Sequence, residues 1–339
     1  MDKQIVKITP TEPGFEVTWM IHRRCNNDCM YCGDEFHDNF SDVLSLSDLK
    51  DYWIQIFNKT KHIGLQYNIA FTGGETIINK DFKPFVEWLD ENYRQHIKKV
   101  GITTNGTGSK QYYLELFRHL TFITMSTHTE SFSFDIDRFS EIIIACNQYA
   151  SVTPGKLFFV NVMEEYWAVD TIKQIIDICR KNDIKFSLNK ISWDRPGART
   201  YPIFFQNRTE KHRKDLTISK SAIDSAHKEI QDYNQLYTLP EDRFYNVEVE
   251  YDDQTSIKTF ATRLKFLDLN RFKDWECYAG YHRISIKDDS SVYVGECNAH
   301  FIGKLSDNSF KLLDGPCICP KDRCTGNPMD ISIRKSMKQ

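Results

Sequence analysis

The chain has 339 residues, enough to bury one large core and a second, smaller one. Its 44 Lys and Arg nearly balance its 47 Asp and Glu, so bulk charge predicts neither a nucleic-acid nor a membrane partner. No apolar run approaches the ~20 residues that cross a bilayer, and the N-terminus does not begin a signal peptide, which predicts a cytoplasmic protein.

Residues 15–235 alternate between strand and helix patterns, preceded by a short lead-in, residues 1–14. Strands are predicted at 15–21, 67–71, 100–103, 122–126, 157–163 and 184–188. Helices are predicted after an N-cap at Ser47 and at 82–89, 112–120, 139–149, 171–179 and about 218–233. Such alternation indicates an α/β fold with a parallel sheet, but composition does not separate an open doubly wound sheet from a barrel.

The ten cysteines fall into two groups and two single positions. Three lie at 25–32 and five at 277–324, while Cys146 and Cys179 sit in apolar helical patterns that favour the core. Because the cytosol keeps thiols reduced, the two groups indicate metal ligands rather than disulfides.

Cys25, Cys29 and Cys32 follow the first predicted strand within eight residues. Three thiolates can hold three irons of a [4Fe–4S] cluster, which leaves the fourth iron for an exogenous ligand. A zinc site completed by His22 or His37, or incidental buried cysteines, are the alternatives.

The spacing Cys-x3-Cys-x2-Cys, with Tyr31 before the last cysteine, resembles the signature of the radical S-adenosylmethionine (SAM) enzymes. The resemblance implies a partial (β/α)6 TIM-type barrel over residues 15–235, with chemistry at the carboxyl ends of the strands. It also implies that the open iron binds SAM, which the reduced cluster cleaves to methionine and a 5′-deoxyadenosyl radical.

Polar residues follow several predicted strands. Gly73, Gly74 and Glu75 end the second strand, where glycines permit close approach and a carboxylate can pair with an ammonium. By resemblance they bind the amino group of SAM, and Tyr31 lies beside its adenine. The resemblance implies ribose or carboxylate contacts for Thr104, Asn105 and Ser126, with Asn161 and Asn189 as further SAM candidates.

Each of these polar residues has a simpler alternative as a turn residue that bonds its own backbone. His128, also at a strand end, is predicted either to touch substrate or SAM or to be a structural histidine.

The C-terminal region, residues 236–339, carries a predicted hairpin at 247–251 and 256–260 and then five cysteines. Its Cys-x-Ala-Gly sequence, a hairpin and a further cysteine resemble the SPASM and twitch extensions of radical SAM enzymes, which implies a small α+β domain. Four thiolates suffice for one auxiliary [4Fe–4S] cluster, and a four-cysteine zinc site is the rival. The candidate ligands are Cys277, Cys297, Cys317, Cys319 and Cys324, of which one is spare.

Residues 192–214 carry six basic side chains among Pro, Gly and aromatic residues. They are interpreted as a solvated linker or as a loop that grips substrate at the mouth of the barrel.

The resemblance predicts a radical SAM oxidoreductase or maturase that oxidises or cross-links a peptide or protein side chain. Its electron would come from a low-potential donor such as flavodoxin or ferredoxin. Dehydrogenation of a small-molecule alcohol or amino sugar is the alternative, and a non-catalytic iron–sulfur or zinc redox sensor is a second one.

Overall fold

The computed structural model describes residues 3–29, 31–33, 36–131, 134–189, 191, 220–235, 247–259, 264, 267–324 and 333–334. After a first strand, β1 (Ile5–Pro10), six strands alternate with helices. The strands are β2 (Phe15–Met20), β3 (Tyr67–Thr72), β4 (Ile97–Thr104), β5 (Phe122–Ser126), β6 (Leu157–Met163) and β7 (Phe186–Asn189). The helices are α1 (Leu46–Thr60), α2 (Phe82–Tyr93), α3 (Lys110–His119), α4 (Ile136–Val152), α5 (Val169–Lys181) and α6 (Lys220–Gln235).

Strands β2 to β7 lie side by side in chain order, and each neighbouring pair is parallel. The predicted α/β alternation and parallel sheet are therefore confirmed. Their carboxyl ends share one edge of the sheet, which brings the polar residues that follow them into one region.

The predicted N-cap of α1 at Ser47 is wrong, because the helix begins two residues earlier. Ser45 is the N-cap: its hydroxyl accepts from the Asp48 backbone N–H at 3.2 Å, and the Asp48 carboxylate accepts from the Ser45 backbone N–H at 3.1 Å. This reciprocal capping box needs an acceptor side chain three residues after the cap. Ser47 is followed at that distance by Lys50, which has none.

A second sheet joins the two ends of the chain. It contains β1 together with β8 (Val247–Tyr251), β9 (Ser256–Thr259), β10 (Glu276–Cys277), β14 (Cys317–Ile318) and β15 (Ile333–Arg334). Strand β1 pairs antiparallel with β8 and with β15, so residues 5–10 of the predicted lead-in are part of this sheet. The predicted hairpin is the β8–β9 pair; Phe260 at its predicted end lies outside the described residues.

Three further strands of the C-terminal region extend the first sheet instead. These are β11 (Arg283–Ile286), β12 (Ser291–Tyr293) and β13 (Phe301–Lys304), and β11 pairs parallel with β2. The region after residue 236 therefore contributes to both sheets. The predicted domain boundary at 235/236 adjoins a stretch outside the described residues. The predicted linker or loop at 192–214 lies entirely within another such stretch.

The main core lies between the first sheet and its helices. Trp19 of β2 and Phe71 of β3 are fully buried against Phe85 of α2, at ring-centroid distances of 5.7–5.8 Å. Cys146 and Cys179 are fully buried in the same core, which confirms the prediction for both. Within the part of the chain that the structure describes, no helix is long and apolar enough to cross a membrane.

Replacing Phe71 with Ala should lower the free energy of unfolding by about 3–5 kcal/mol, because it leaves a cavity among Trp19, Phe82 and Phe85. The same change at Phe40, whose side chain is 74% exposed, is the matched control and should cost less than about 0.5 kcal/mol. Urea denaturation of both variants measures the difference. Equal losses would contradict the placement of Phe71 in the core.

Candidate active site

The cysteine loop leaves the end of β2 and is closed at its base by main-chain hydrogen bonds. The Cys25 N–H donates to the Asp38 carbonyl at 2.7 Å, and the Asp38 N–H donates to the Arg23 carbonyl at 2.9 Å. Within the loop, the Cys32 N–H donates to the Cys29 carbonyl at 3.1 Å. These bonds hold the loop at the carboxyl edge of the parallel strands.

Gly73 and Gly74 let the end of β3 lie directly against this loop. The Gly74 N–H donates to the His22 carbonyl at 2.9 Å. A Cβ added to Gly73 would stand 2.3 Å from the His22 oxygen, and one added to Gly74 would stand 2.1 Å from the Arg23 oxygen. Both distances are far below van der Waals contact, so the packing of the two chains requires glycine at both positions.

The Glu75 carboxylate is buried and joins β3 to the end of β4. It accepts hydrogen bonds from the Asn105 N–H at 2.6 Å, the Thr104 hydroxyl at 2.8 Å and the Ile77 N–H at 3.3 Å. Burial raises the pKa of Glu75 to about 7, although these donors act in the opposite direction. The predicted contact of Gly73, Gly74 and Glu75 with the SAM amino group stays a prediction.

Asn105 reaches from the end of β4 to the cysteine loop. Its side-chain amide donates to the side-chain Oδ1 of Asn26 at 2.8 Å and lies 3.9 Å from the Cys25 sulfur. The Asn27 backbone N–H points at the same sulfur, 3.4 Å away. Cys25 thus has two N–H groups directed at it, the environment that a thiolate ligand needs.

The loop thiols fit a cluster ligand set chemically. Burial raises the pKa of Cys25 to about 11 and that of Cys29 well above its usual value, so both stay protonated without a bound cation to compensate the thiolate. In a cubane each thiolate binds its own iron, so the three sulfurs need not converge on one point. Across the described residues, no three His, Cys, Asp or Glu side chains converge as a single metal ion requires.

Tyr31, His128 and Glu165 form a buried hydrogen-bonded chain beside Cys29. The Tyr31 hydroxyl donates to Glu165 Oε1 at 3.0 Å and lies 2.6 Å from His128 Nδ1, which is 3.3 Å from the Cys29 sulfur. Burial lowers the pKa of His128 to about 4, so its imidazole is neutral near pH 7. Burial also raises the pKa of Tyr31, and it raises that of Glu165 to about 7.

The later strand ends bring the predicted residues Ser126, Asn161 and Asn189 into one polar row, together with Ser187. Ser126, Asn161 and Ser187 are register partners across β5, β6 and β7. The Asn161 amide lies 3.5 Å from the Ser126 hydroxyl, and Ser187 bridges Asn161 and Asn189 at 3.3 Å each. Their predicted SAM contacts stay predictions.

A small cleft opens between the cysteine loop and the ends of β4 and β5. Its lining combines the rings of Phe134 and Phe139 with polar side chains, which include Asn27, Asn105, Thr107, His128, Ser131 and Arg138. Amide and hydroxyl groups of this kind bind polar ligands, and the cleft adjoins Cys25 and Cys29 through Asn105 and His128.

The five C-terminal cysteines form a second thiol group. Cys277 of β10 is the register partner of Cys317 of β14, and a hydrogen bond between their sulfurs lowers the pKa of Cys317 and raises that of Cys277. Cys319 is within electrostatic reach of Cys277, Cys297 and Cys324, and burial raises its pKa to about 11. The structure thus pairs Cys277 with Cys317, while a common site for the five thiols and their ligand roles stay predictions.

Three residues of the site were missed from the sequence. Asn26 and Ser187 hold predicted residues in place, and Glu165 supports Tyr31. Glu165 and its neighbour Glu164 directly follow β6. An acidic pair at the carboxyl end of a parallel strand indicates a site residue, and this pattern could have identified Glu165 from the sequence.

Comparisons with known proteins give the class of this chain. Residues 19–189, just over half of its length, match the Radical SAM superfamily, and the chain belongs to that superfamily. The family implies a [4Fe–4S] cluster and SAM as cofactors, which agrees with the thiol loop described above.

Individual relatives are distant. An S-adenosylmethionine-dependent nucleotide dehydratase from Selenomonas ruminantium is 33% identical over 94 residues, 27% of this chain and 30% of that protein. The structure of anSMEcpe with bound AdoMet shares 13% identity at a TM-score of 0.50, covering 87% of this chain and 76% of that one. Streptococcus suis SuiB shares 16% identity at a TM-score of 0.47, covering 83% and 60%. The chain thus spans about a third of the dehydratase and less than two thirds of SuiB.

Gly74→Ala should lower iron incorporation several-fold, because the added methyl group meets the Arg23 and Arg24 carbonyl oxygens at 2.1 and 2.3 Å and displaces the cysteine loop. Gly315→Ala is the control, since nothing lies within 4 Å of the added Cβ. Iron per chain after anaerobic reconstitution is the measurement. Normal iron content in Gly74→Ala would show that loop position does not depend on this contact.

The raised pKa of Glu75 predicts a pH dependence of stability. The native state favours the protonated form, so this contribution is complete below the ordinary pKa of 4.5 and lost as pH rises through about 7. In metal-free protein, the unfolding free energy of the wild type should fall by about 3 kcal/mol relative to Glu75→Gln between about pH 4 and about pH 8. Urea denaturation across that range measures it. Parallel profiles would show that the three donors keep Glu75 ionised throughout.

Proposed function

We propose that this radical SAM enzyme is an oxidoreductase or maturase that acts on a peptide or protein side chain. It uses a cluster on Cys25, Cys29 and Cys32 and an auxiliary [4Fe–4S] cluster on four of the five C-terminal cysteines. The observation that carries the proposal is the second thiol group, in which Cys277 faces Cys317 and Cys319 lies near Cys297 and Cys324. An auxiliary cluster provides a route for a second electron, which makes the overall reaction an oxidation.

The first site supplies the radical. When bound, the cluster and SAM generate a 5′-deoxyadenosyl radical that removes hydrogen from a substrate C–H bond. Cys25, Cys29 and Cys32 would hold the cluster, and Asn27 and Asn105 would direct N–H groups to the Cys25 sulfur. The SAM amino group would lie near Gly73, Gly74 and Glu75. The cleft beside His128 and Ser131 would receive the rest of SAM, and its amide and hydroxyl groups would orient it.

Other residues would complete the pocket. Tyr31 would lie beside the adenine, and Thr104, Ser126, Asn161 and Asn189 would contact the ribose or carboxylate from neighbouring strand ends. The six parallel strands with their carboxyl-end site are consistent with the partial (β/α)6 barrel, and the cysteine-rich sheet with a twitch-like domain.

The auxiliary site is tied to the first one through the sheet. Glu296 precedes Cys297 and accepts a hydrogen bond from Thr18 of β2 at 2.9 Å, and it lies 3.4 Å from Arg283 of β11. Strand β2 ends at the cysteine loop. Cys297 of the second thiol group therefore follows a residue that is bonded to β2, the strand that leads into the cysteine loop, and this link supports a fixed relation between the two centres. A low-potential donor such as flavodoxin or ferredoxin would supply the first electron.

A second candidate is oxidation or dehydration of a polar small molecule. The partial similarity to a nucleotide dehydratase and the amide- and hydroxyl-lined cleft favour it. The amide and hydroxyl groups among its lining residues reward substrates with hydroxyl groups, because unpaired buried polar groups are costly. Incubation with SAM and reductant distinguishes the two: consumption of a nucleotide or free alcohol supports the small molecule, and mass loss from a peptide supports the maturase.

The proposal predicts iron content in a Cys25/Cys29/Cys32→Ala variant. About four irons per chain should remain, held by the C-terminal thiols, and 5′-deoxyadenosine formation should be lost. The wild type should hold about eight irons and make 5′-deoxyadenosine from SAM and dithionite. Iron and acid-labile sulfide assays, with product analysis, provide the measurement.

The matched control removes Cys277 and Cys317 instead. That variant should keep about four irons and still cleave SAM without oxidising substrate. If the Cys25/Cys29/Cys32→Ala variant retained zinc and no iron, the C-terminal group would be a structural zinc site, and the oxidative part of the proposal would fail.

A further inference from the structure

The buried chain from Glu165 through Tyr31 to His128 ends at the Cys29 sulfur, and its hydrogen-bond donors can be assigned. Glu165 Oε2 accepts from the Thr129 backbone N–H at 2.7 Å and from the Thr129 hydroxyl, while Oε1 accepts from Tyr31 at 3.0 Å. Above its pKa of about 7 Glu165 is a carboxylate, and a carboxylate surrounded by donors acts as acceptor only.

The direction of each following bond is then fixed. The Tyr31 hydroxyl has one proton, which it gives to Glu165, so its oxygen can only accept from His128. His128 Nδ1, 2.6 Å away, must therefore carry a proton. Because Nδ1 is also 3.3 Å from the Cys29 sulfur, the same N–H is shared between Tyr31 and Cys29.

We propose that Glu165 is a positioning residue that, through Tyr31 and His128, fixes an N–H group on the Cys29 sulfur and thereby sets the reduction potential of the cluster. The inference rests on the proposed role of Cys29 as a cluster ligand. Reduction adds negative charge that the sulfurs share, and a hydrogen bond to sulfur stabilises it, so the donor raises the potential.

Glu165→Gln tests the assignment because it keeps the shape of the side chain and reverses the direction of the hydrogen bonds from residue 165 to His128. The new amide oxygen faces the Thr129 donors, and its NH₂ group donates to Tyr31. Tyr31 must then donate to His128 Nδ1, which moves the imidazole proton to Nε2 and presents a lone pair to Cys29. We expect the equilibrium constant for one-electron reduction to fall about tenfold, a shift of about 59 mV to more negative potential.

The matched control is Glu164→Gln. This neighbouring buried carboxylate pairs with His227 at 2.9 Å and with Gln231 on α6. Among the described residues its side chain bonds to His227 and Gln231 and not to Tyr31 or His128, so we expect Glu164→Gln to have the reduction potential of the wild type.

The measurement is an EPR-monitored redox titration without SAM at one fixed pH of about 9, where Glu165 is ionised. The signal of the Cys25/Cys29/Cys32→Ala variant is subtracted, so that only the N-terminal cluster is followed, and iron content is assayed in every variant. His128→Leu removes the donor and should shift the potential in the same direction as Glu165→Gln. In the His128→Leu background, Glu165→Gln should add no further shift, because it acts only through the imidazole.

The outcomes separate the two proposals. A Glu165→Gln variant with full iron content and an unchanged potential would overturn this inference and leave the proposed function intact. A shift that persists in the His128→Leu background, or an equal shift in Glu164→Gln, would also overturn it. If the wild type held no cluster on Cys25, Cys29 and Cys32, the proposed function would fail together with the inference.

Discussion

The main-chain contact between residues 22–24 and residues 73–75 fixes the geometry of the whole site. Here the ends of β2 and β3 remain paired beyond the strands, through bonds from Gly74 to His22 and from Glu75 to Arg24, each 2.9 Å. The contact leaves no room for a Cβ at Gly73 or Gly74. Because the hydrogen bonds and the steric limits act together, they fix the position of the first residues of the cysteine loop relative to β3.

That contact also determines which polar groups reach the thiols. It aims the Glu75 side chain inward, where it bonds the backbone of Asn105 and the hydroxyl of Thr104. Asn105 is held against Asn26 and the Cys25 sulfur as a result. One close backbone approach therefore places groups from β2, β3 and β4 within a single hydrogen-bonded network, and low dielectric strengthens each bond in it.

Burial gives the site its electrostatic character. Thiols and carboxyls removed from water hold their protons more tightly, which raises the pKa of Cys25, Cys29, Glu75 and Glu165. A bound cation reverses this cost for the thiols, since it stabilises the thiolate. The same burial keeps the His128 imidazole neutral near pH 7, with a single ring proton.

Much of this arrangement follows from local sequence. Strand and helix periodicity predicted the βα alternation and the parallel sheet, because each βα unit is specified by nearby residues. The order of the strands within the sheet came only from the structure. The thiol spacing and the glycine pair after β3 marked the site, since both depend on short stretches of chain. The N-cap was misplaced by two residues because the deciding feature was the reciprocal Ser45–Asp48 bond.

Tertiary structure alone decided which distant segments meet. The pairing of β1 with β8 and β15, and of β11 with β2, joins residues more than 200 positions apart, and no periodicity encodes such partners. Glu165 reaches Tyr31 across 134 positions for the same reason. The sequence determined which residues stand at strand ends and carry thiols, and the packed sheet determined which of them touch. A contact between remote segments depends on the shape of the whole core and on no single stretch of chain.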